Sequence, residues 1–529
     1  MGQPSFQASN AIIYVTYGAF LILGTALAWK MRNQPKADFL SGNRTQSALP
    51  LALNFIAAAM GSGILFSYPE LATLAGLQGV IVYALASALP LMIFAILGPI
   101  IRRKCPEGFV LTEWVKQRYG IVTSLYLSAL TLLTLFLYMV SELSAIGQVV
   151  TALTGLDGLP VIIVECVVTT IYTSLGGFRI SFITDNIQGA MIVALIIIAT
   201  ITVGAKTEIK PELIESSGLL DASLIGWQLV YILPVAVLTN DFFLSNFWLR
   251  TFASKTDKDL WIGVTAAMIV ILITLTLVGC TGLIAAWSGA YDPSVDDDGS
   301  VAFFLLLEQL PSWVVGIVLV MTIALSTAAF DSLQSAMVSS MSNDLFRNRL
   351  NIWWIRGGVV LIIVPVIVLA LKAPSILQIY LISDLLSAAT IPVLMLGLSD
   401  RFYWWRGFEV LVGGLGGIFT VFIYGAIYYD DAQSGGELIL LEQGLYTGDW
   451  GAFGAFVAAP VGGILWGFGA LALRLAFQFV SAKVAGRRFD ALDRPLVAAH
   501  RGDWDDETAP VSADQDHVAI NTKITGKFF

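Results

Sequence analysis

The chain has 529 residues, 57% of them apolar and only 13% charged, with a formal net charge of −9. Soluble globular domains carry roughly 25% charged residues, so this composition cannot wrap an apolar core in a water-facing surface. It excludes a soluble enzyme, a nucleic-acid-binding protein and a disordered chain, and it implies an all-α, polytopic protein in a lipid bilayer.

A helix needs about 20 apolar residues to cross the hydrocarbon. In chain order, thirteen stretches meet that length, near residues 11–29, 49–70, 77–101, 122–153, 159–176, 183–205, 226–249, 261–287, 312–341, 352–371, 378–399, 407–428 and 450–479. Every Lys and Arg except Lys206, Lys210 and Lys372 falls on segments that alternate onto one side of the membrane. By the positive-inside rule that side is the cytoplasm, which puts the N-terminus outside and the C-terminus inside, with the plasma membrane the expected location. The chain then divides into a peripheral span (1–35), a core (36–400), two further peripheral spans (401–480) and a charged cytoplasmic tail (481–529) expected to be mostly disordered.

The second span holds Ala57-Ala58-Ala59-Met60-Gly61-Ser62-Gly63-Ile64 at its middle. Small residues and two glycines let a helix unwind there and free its carbonyls for a hard cation, or else let another helix pack closely. The seventh span has Pro234, Thr239-Asn240-Asp241 and Ser245-Asn246. Two interrupted spans placed five apart suggest inverted five-helix repeats, about 49–205 and 226–399. The ninth span places Ser326 and Thr327 three and four residues after Ile323, where their hydroxyls can converge on its carbonyl, with Asp331 one turn further. The bland alternative is hydroxyls bonding back to their own helix.

Six acids, Glu142, Glu165, Asp185, Asp241, Asp331 and Asp384, sit inside apolar spans with few basic residues at comparable depth. Intramembrane acids usually line a polar path, and a group of one sign favours cation handling; Glu165 alone reads as a packing acid. The two histidines, His500 and His517, stand in the tail, so no imidazole serves as base or metal ligand within the membrane. Gly61-Ser62-Gly63 is therefore not a serine nucleophile, and no catalytic residue and no cofactor is expected. Cys105, Cys166 and Cys280 are scattered and read as packing residues.

Gly176-Gly177-Phe178-Arg179-Ile180-Ser181-Phe182-Ile183-Thr184-Asp185-Asn186-Ile187-Gln188 resembles the G-G-(aliphatic)-(K/R)-A-V…T-D-x-x-Q signature of the sodium/solute symporter family. Asp38-Phe39-Leu40-Ser41-Gly42-Asn43-Arg44, Phe247-Trp248-Leu249-Arg250 with Ala253-Ser254-Lys255, and Asn343-Asp344-Leu345-Phe346 are similar to further family segments. The resemblance implies a LeuT-type inverted-repeat fold. It assigns coupling-cation carbonyls to Ala57, Met60 and Ile323, hydroxyl ligands to Ser326 and Thr327, and a carboxylate to Asp185. Counting back from Asp344 without gaps instead puts Ala328 and Ala329 at the hydroxyl positions, which keeps open proton coupling through Asp331 or Asp185. Cys105-Pro106-Glu107-Gly108 and Ala388-Ala389-Thr390-Ile391-Pro392-Val393 look most like the urea/polyamine branch. Where proline transporters carry Asp and Ser in the first core helix, this chain has Ala59 and Gly61.

The expected function is a cation-coupled symporter, with sodium preferred to a proton, importing a small polar solute such as urea or a polyamine by alternating access. The cation site comprises Ala57, Met60, Asp185, Ile323, Ser326, Thr327 and Asp331; the solute site comprises Gly61, Ser62, Gly63, Ile64, Tyr138, Ser141, Glu142, Ser245 and Asn246. A passive facilitator, a solute sensor and a symporter for proline or another organic solute are the alternatives.

Overall fold

The computed structural model describes residues 4–106, 108–292, 298–372, 375–492 and 527–529. Among these there is no strand, and eleven helices are long and apolar enough to cross a membrane. The main elements are α1 (Phe6–Met31), α2 (Ala48–Ala59), α3 (Ile64–Ala88), α4 (Met92–Lys104), α5 (Ile121–Thr154), α6 (Gly158–Lys206) and α7 (Leu224–Phe243). They continue with α8 (Ser245–Ala253), α9 (Asp257–Ser288), α10 (Ser312–Asp344), α11 (Ile352–Ala370), α12 (Ile376–Met395), α13 (Gly407–Tyr428) and α14 (Gly451–Val484). Helices are the natural solution in hydrocarbon, because each one satisfies its own backbone polar groups.

Two of these eleven units are hairpins. Gly76 and Gly177 have φ values of 60° and 59°, a left-handed conformation that glycine adopts without a Cβ penalty. Beyond Gly76 the chain doubles back. The rings of Tyr68 and Tyr83 stack with centroids 4.0 Å apart, whereas fifteen residues of straight helix would separate them by about 22 Å. Around Gly177, Tyr172 and Thr184 both donate to Oδ2 of Asp331, at 2.7 and 3.2 Å; an unbroken helix would hold them about 18 Å apart. Among the described residues, eleven units with two hairpins give thirteen helical legs, against thirteen apolar stretches in the sequence.

The centre of the fold is α10. In its most apolar 18-residue stretch 83% of residues are buried, against 22% in α11. It packs against α5, α6 and α1 and touches α2. Exposed side chains such as Ile22, Leu361 and Leu473 face outward, where lipid tails are as apolar as the side chains themselves. In the tail, residues 493–526, including His500 and His517, lie outside the described residues. The carbonyls of Lys527 and Phe528 accept the N–H groups of Gly407 and Phe408 at the start of α13, at 3.1 and 2.8 Å.

Candidate functional site

The first interruption lies where the run of small residues predicts it. Helix α2 ends at Ala59, Met60 is extended (φ −122°, ψ 109°), and α3 starts at Ile64. The end of α2 leaves its last carbonyls, Ala57 among them, without intrahelical donors. On the other side of the gap, Oε1 of Glu142, from α5, accepts both the N–H and the O–H of Ser62 at 2.5 Å. A Cβ on Gly61 would come within 2.1 Å of Glu142 Oε2. Glycine is therefore what admits the carboxylate, and the carboxylate in turn satisfies backbone that the helix has given up.

The second interruption is a single residue, Leu244 (φ −76°, ψ 92°), between α7 and α8. The indole N–H of Trp248 donates to the Phe242 carbonyl at 3.0 Å, and Arg250 donates to Asn246 O at 2.8 Å. Both bonds supply donors for carbonyls around the break.

Between the two breaks lies a cavity. Gly61, Ile64 and Glu142 line it from the first break, and Asn240, Asp241 and Asn246 from the second. Tyr68, Tyr83, Tyr138 and Tyr380 add aromatic walls, and Asp384 comes from α12. Among the described residues no Lys, Arg or His lines it. Asp241 Oδ2 and Asn246 Oδ1 are buried without a hydrogen-bond partner among the described residues. Behind the acids runs a polar seam: Ser383 donates to Asn240 Oδ1 at 3.1 Å, and Thr239 and Ser387 share a hydroxyl bond of 2.9 Å.

Of the expected solute contacts, Gly61, Ile64, Tyr138, Glu142 and Asn246 are at the wall, while Ser62, Gly63, Ser141 and Ser245 are not. Ser62 spends its hydroxyl on Glu142, and Gly63 abuts the Tyr380 hydroxyl, which a Cβ would meet at 2.3 Å. Ser141 and Ser245 each precede a lining residue by one position, which turns a helical side chain about 100° away. Asp241 and Asp384 belong to the wall although neither stood among the expected contacts. Their intramembrane charge was the signal; their meeting across 143 positions of sequence was not readable.

The expected cation ligands separate into two layers. Helix α10 packs against α2, bringing the element of Ile323, Ser326 and Thr327 to that of Ala57. The Thr327 hydroxyl donates to Ile323 O at 2.7 Å, the bond back to its own helix that was the bland alternative for this pair. Ser326 turns to Glu165 Oε1 at 2.7 Å, whose other oxygen accepts from Tyr17 at 2.9 Å; Glu165 is a packing acid satisfied by two hydroxyls. Asp185 and Asp331 lie in the second layer. Asp185 forms an ion pair with Arg250, both fully buried, and accepts from Ser332 at 3.0 Å. Asp331 accepts from Tyr172, Ser181 and Thr184 at 2.7, 2.8 and 3.2 Å. Arg250 reaches further, to Asn54 O at 3.1 Å, so Asp185 has a basic partner at its own depth, contrary to the scarcity read from the sequence.

Residues 39–407 match the family model described as the sodium:solute symporter family. The chain belongs to that family. It is 55% identical over 94% of its length, and 95% of the relative's, to the spermidine transporter DUR31 of Candida albicans. It is 24% identical to the sodium/pantothenate symporter of Haemophilus influenzae, over 82% of this chain and 88% of that one. Its fold matches the substrate-bound outward-open structure of a Na+-coupled sialic acid symporter, with a TM-score of 0.68 at 15% identity over 88% of this chain and 97% of that chain. Two broken helices flanking a central cavity are thus set in a symporter-family, LeuT-like fold. The chain is a multi-pass membrane transporter.

Proposed function

We propose that the protein is a cation-coupled symporter whose solute is a polyamine or a closely related small organic amine. The cavity's chemistry carries the reading: three carboxylates and an unpartnered amide oxygen converge with no basic side chain among the described lining. Buried acceptors without donors are costly, so the ligand that fits supplies N–H donors and positive charge together. The relative that transports spermidine supports the same solute class. Urea, a neutral donor, would leave all three carboxylates without a counter-charge.

The coupling cation is assigned to the first break, with carbonyls of Ala57, Met60 and Ile323 and hydroxyls of Ser326 and Thr327 as its oxygens. Sodium suits such a hard, neutral oxygen set. Asp185 and Asp331 drop out of the set because Arg250 and four hydroxyls already engage them. A cation that binds better to one conformation than to the other biases the cycle toward it. The two interrupted helices would open inverted halves that rock about the cavity, and the basic segments would face the cytoplasm, with import across the plasma membrane.

The test is uptake of radiolabelled spermidine into proteoliposomes under imposed sodium or proton gradients. Concentrative uptake driven by sodium, resisted by other amines and indifferent to urea and proline, is expected. Uptake that only equilibrates would replace the symporter with a facilitator. Accumulation driven by a proton gradient alone would move the coupling site away from the Ser326–Thr327 oxygens.

A further inference from the structure

The carboxylates of the cavity are not equivalent. Asp241 and Asp384 line the same cavity from α7 and α12, and no described side chain donates to the free oxygen of Asp241. Glu142 stands apart from them. Its Oε1 takes both donors of Ser62, its Oε2 lies over Gly61 at the cavity wall, and the Ser326 hydroxyl and the Gly63 N–H also reach the carboxyl. Tyr380 lines the cavity with its hydroxyl against Gly63, beside the first break. Its ring packs on Tyr138 with centroids 4.9 Å apart, and the Tyr138 hydroxyl in turn accepts from Asn240, the neighbour of Asp241. The cavity therefore runs from an acidic pair, past aromatic faces that suit a methylene chain and a passing cation, to a single acid at the broken helix. Independently of the acids, the unpartnered Asn246 oxygen, 1% exposed, opens onto the same space.

We infer that Glu142 is a second ammonium subsite, and that it decides the preference for solutes with two or more ammonium groups over monoamines, the first group being held by Asp241 and Asp384. This rests on the amine reading of the cavity given above. A monoamine satisfies the acidic pair and leaves Glu142 tied to Ser62. A diamine or triamine lying along the tyrosines brings a second ammonium to Glu142, where it competes with Ser62 for the carboxylate. The number of charges on the solute is thereby sensed at the first break itself, so that occupancy by a polyvalent amine acts on the backbone between Ala59 and Ile64.

The test is counterflow of radiolabelled spermidine in proteoliposomes, with competition by n-butylamine and by 1,4-diaminobutane. In the unaltered protein the diamine is expected to compete at least about tenfold better than the monoamine, the effect of one further ion pair. Glu142→Gln is expected to shrink that ratio to about threefold or less, and Glu142→Asp to restore part of it. Asp241→Asn is expected to weaken both competitors in parallel. Should Glu142→Gln stop transport by disturbing the break, equilibrium binding of spermidine to detergent-solubilised protein reads the same ratio. A Glu142→Gln protein that keeps the full discrimination overturns the subsite and leaves the amine reading standing. An unaltered protein that neither exchanges nor binds spermidine overturns the amine reading, and the subsite with it.

Discussion

Two pairs of buried aspartates share this core and are treated in opposite ways. Asp185 and Asp331 are engaged by a guanidinium, three serine or threonine hydroxyls and a tyrosine, with only Oδ1 of Asp185 left without a partner among the described residues. Asp241 and Asp384 are equally intramembrane, each 6% exposed, yet they face open space, and Oδ2 of Asp241 lacks any partner. A carboxylate paired with a buried guanidinium or ringed by hydroxyls away from the cavity holds the protein together. One left unfilled in a cavity holds something that arrives, because its desolvation is offset only when a ligand brings the missing donors. In this chain the donor-bound pair, with Arg250, ties α6, α8 and α10 to Asn54 of α2, and the unfilled pair is the core of the proposed solute site.

The strongest way to break that contrast is Arg250→Ala. It leaves Asp185 buried and unpaired, a change that costs about 3–5 kcal/mol. A marked drop in Tm in detergent, with loss of transport, is the expected outcome; an unchanged Tm would mean the ion pair is not what holds that layer. Asp241→Asn and Asp384→Asn test the other half. Each is expected to raise the half-saturating spermidine concentration by roughly tenfold to a hundredfold, the equivalent of ~1.5–3 kcal/mol for a hydrogen bond to a charged group. Their Tm should hold or rise, since an unpaired buried charge is removed. A fall in Tm without a change in affinity would reverse the assignment of the two pairs.

Smaller effects sharpen the picture at the first break. Gly61→Ala drives a Cβ against Glu142 Oε2 and is expected to cost about 1–3 kcal/mol, read as lower Tm and slower uptake. Gly18→Ala, in a helix with nothing within 4 Å of the added Cβ, serves as the neutral or slightly stabilising counterpart. A small effect on stability is expected for Thr327→Ala, about 0.5–1.5 kcal/mol for one lost back-bond to Ile323. Its effect on ion dependence should be far larger, seen as reduced sodium stimulation of spermidine uptake with only a slight fall in Tm. Full sodium stimulation in that variant would remove Thr327 from the coupling site.

The parts of the site legible in the sequence are those written in consecutive residues. Gly61-Ser62-Gly63 marked the first break because small residues and glycines weaken a helix, and Asn240-Asp241 and Ser245-Asn246 flanked the second. Which side chains faced the cavity was harder to read: Ser141 and Glu142 are neighbours, yet a 100° step of the helix buries one hydroxyl and delivers the other's carboxylate to the wall. Asp185 looked free because Arg250 stands at the end of its own apolar span. Its long side chain reaches back to Asp185 and Asn54, and guanidinium reach is invisible in residue order.

The sequence by itself determined that this is a multi-pass, all-helical membrane protein, that two of its apolar stretches are interrupted, and that acids stand inside them. Those properties follow from the partition of each segment between hydrocarbon and water and from local backbone preference, which neighbouring residues decide together. Only the tertiary structure decided which acids are satisfied and which await a ligand. That outcome depends on donors delivered by helices far apart in sequence, through packing that no single segment encodes.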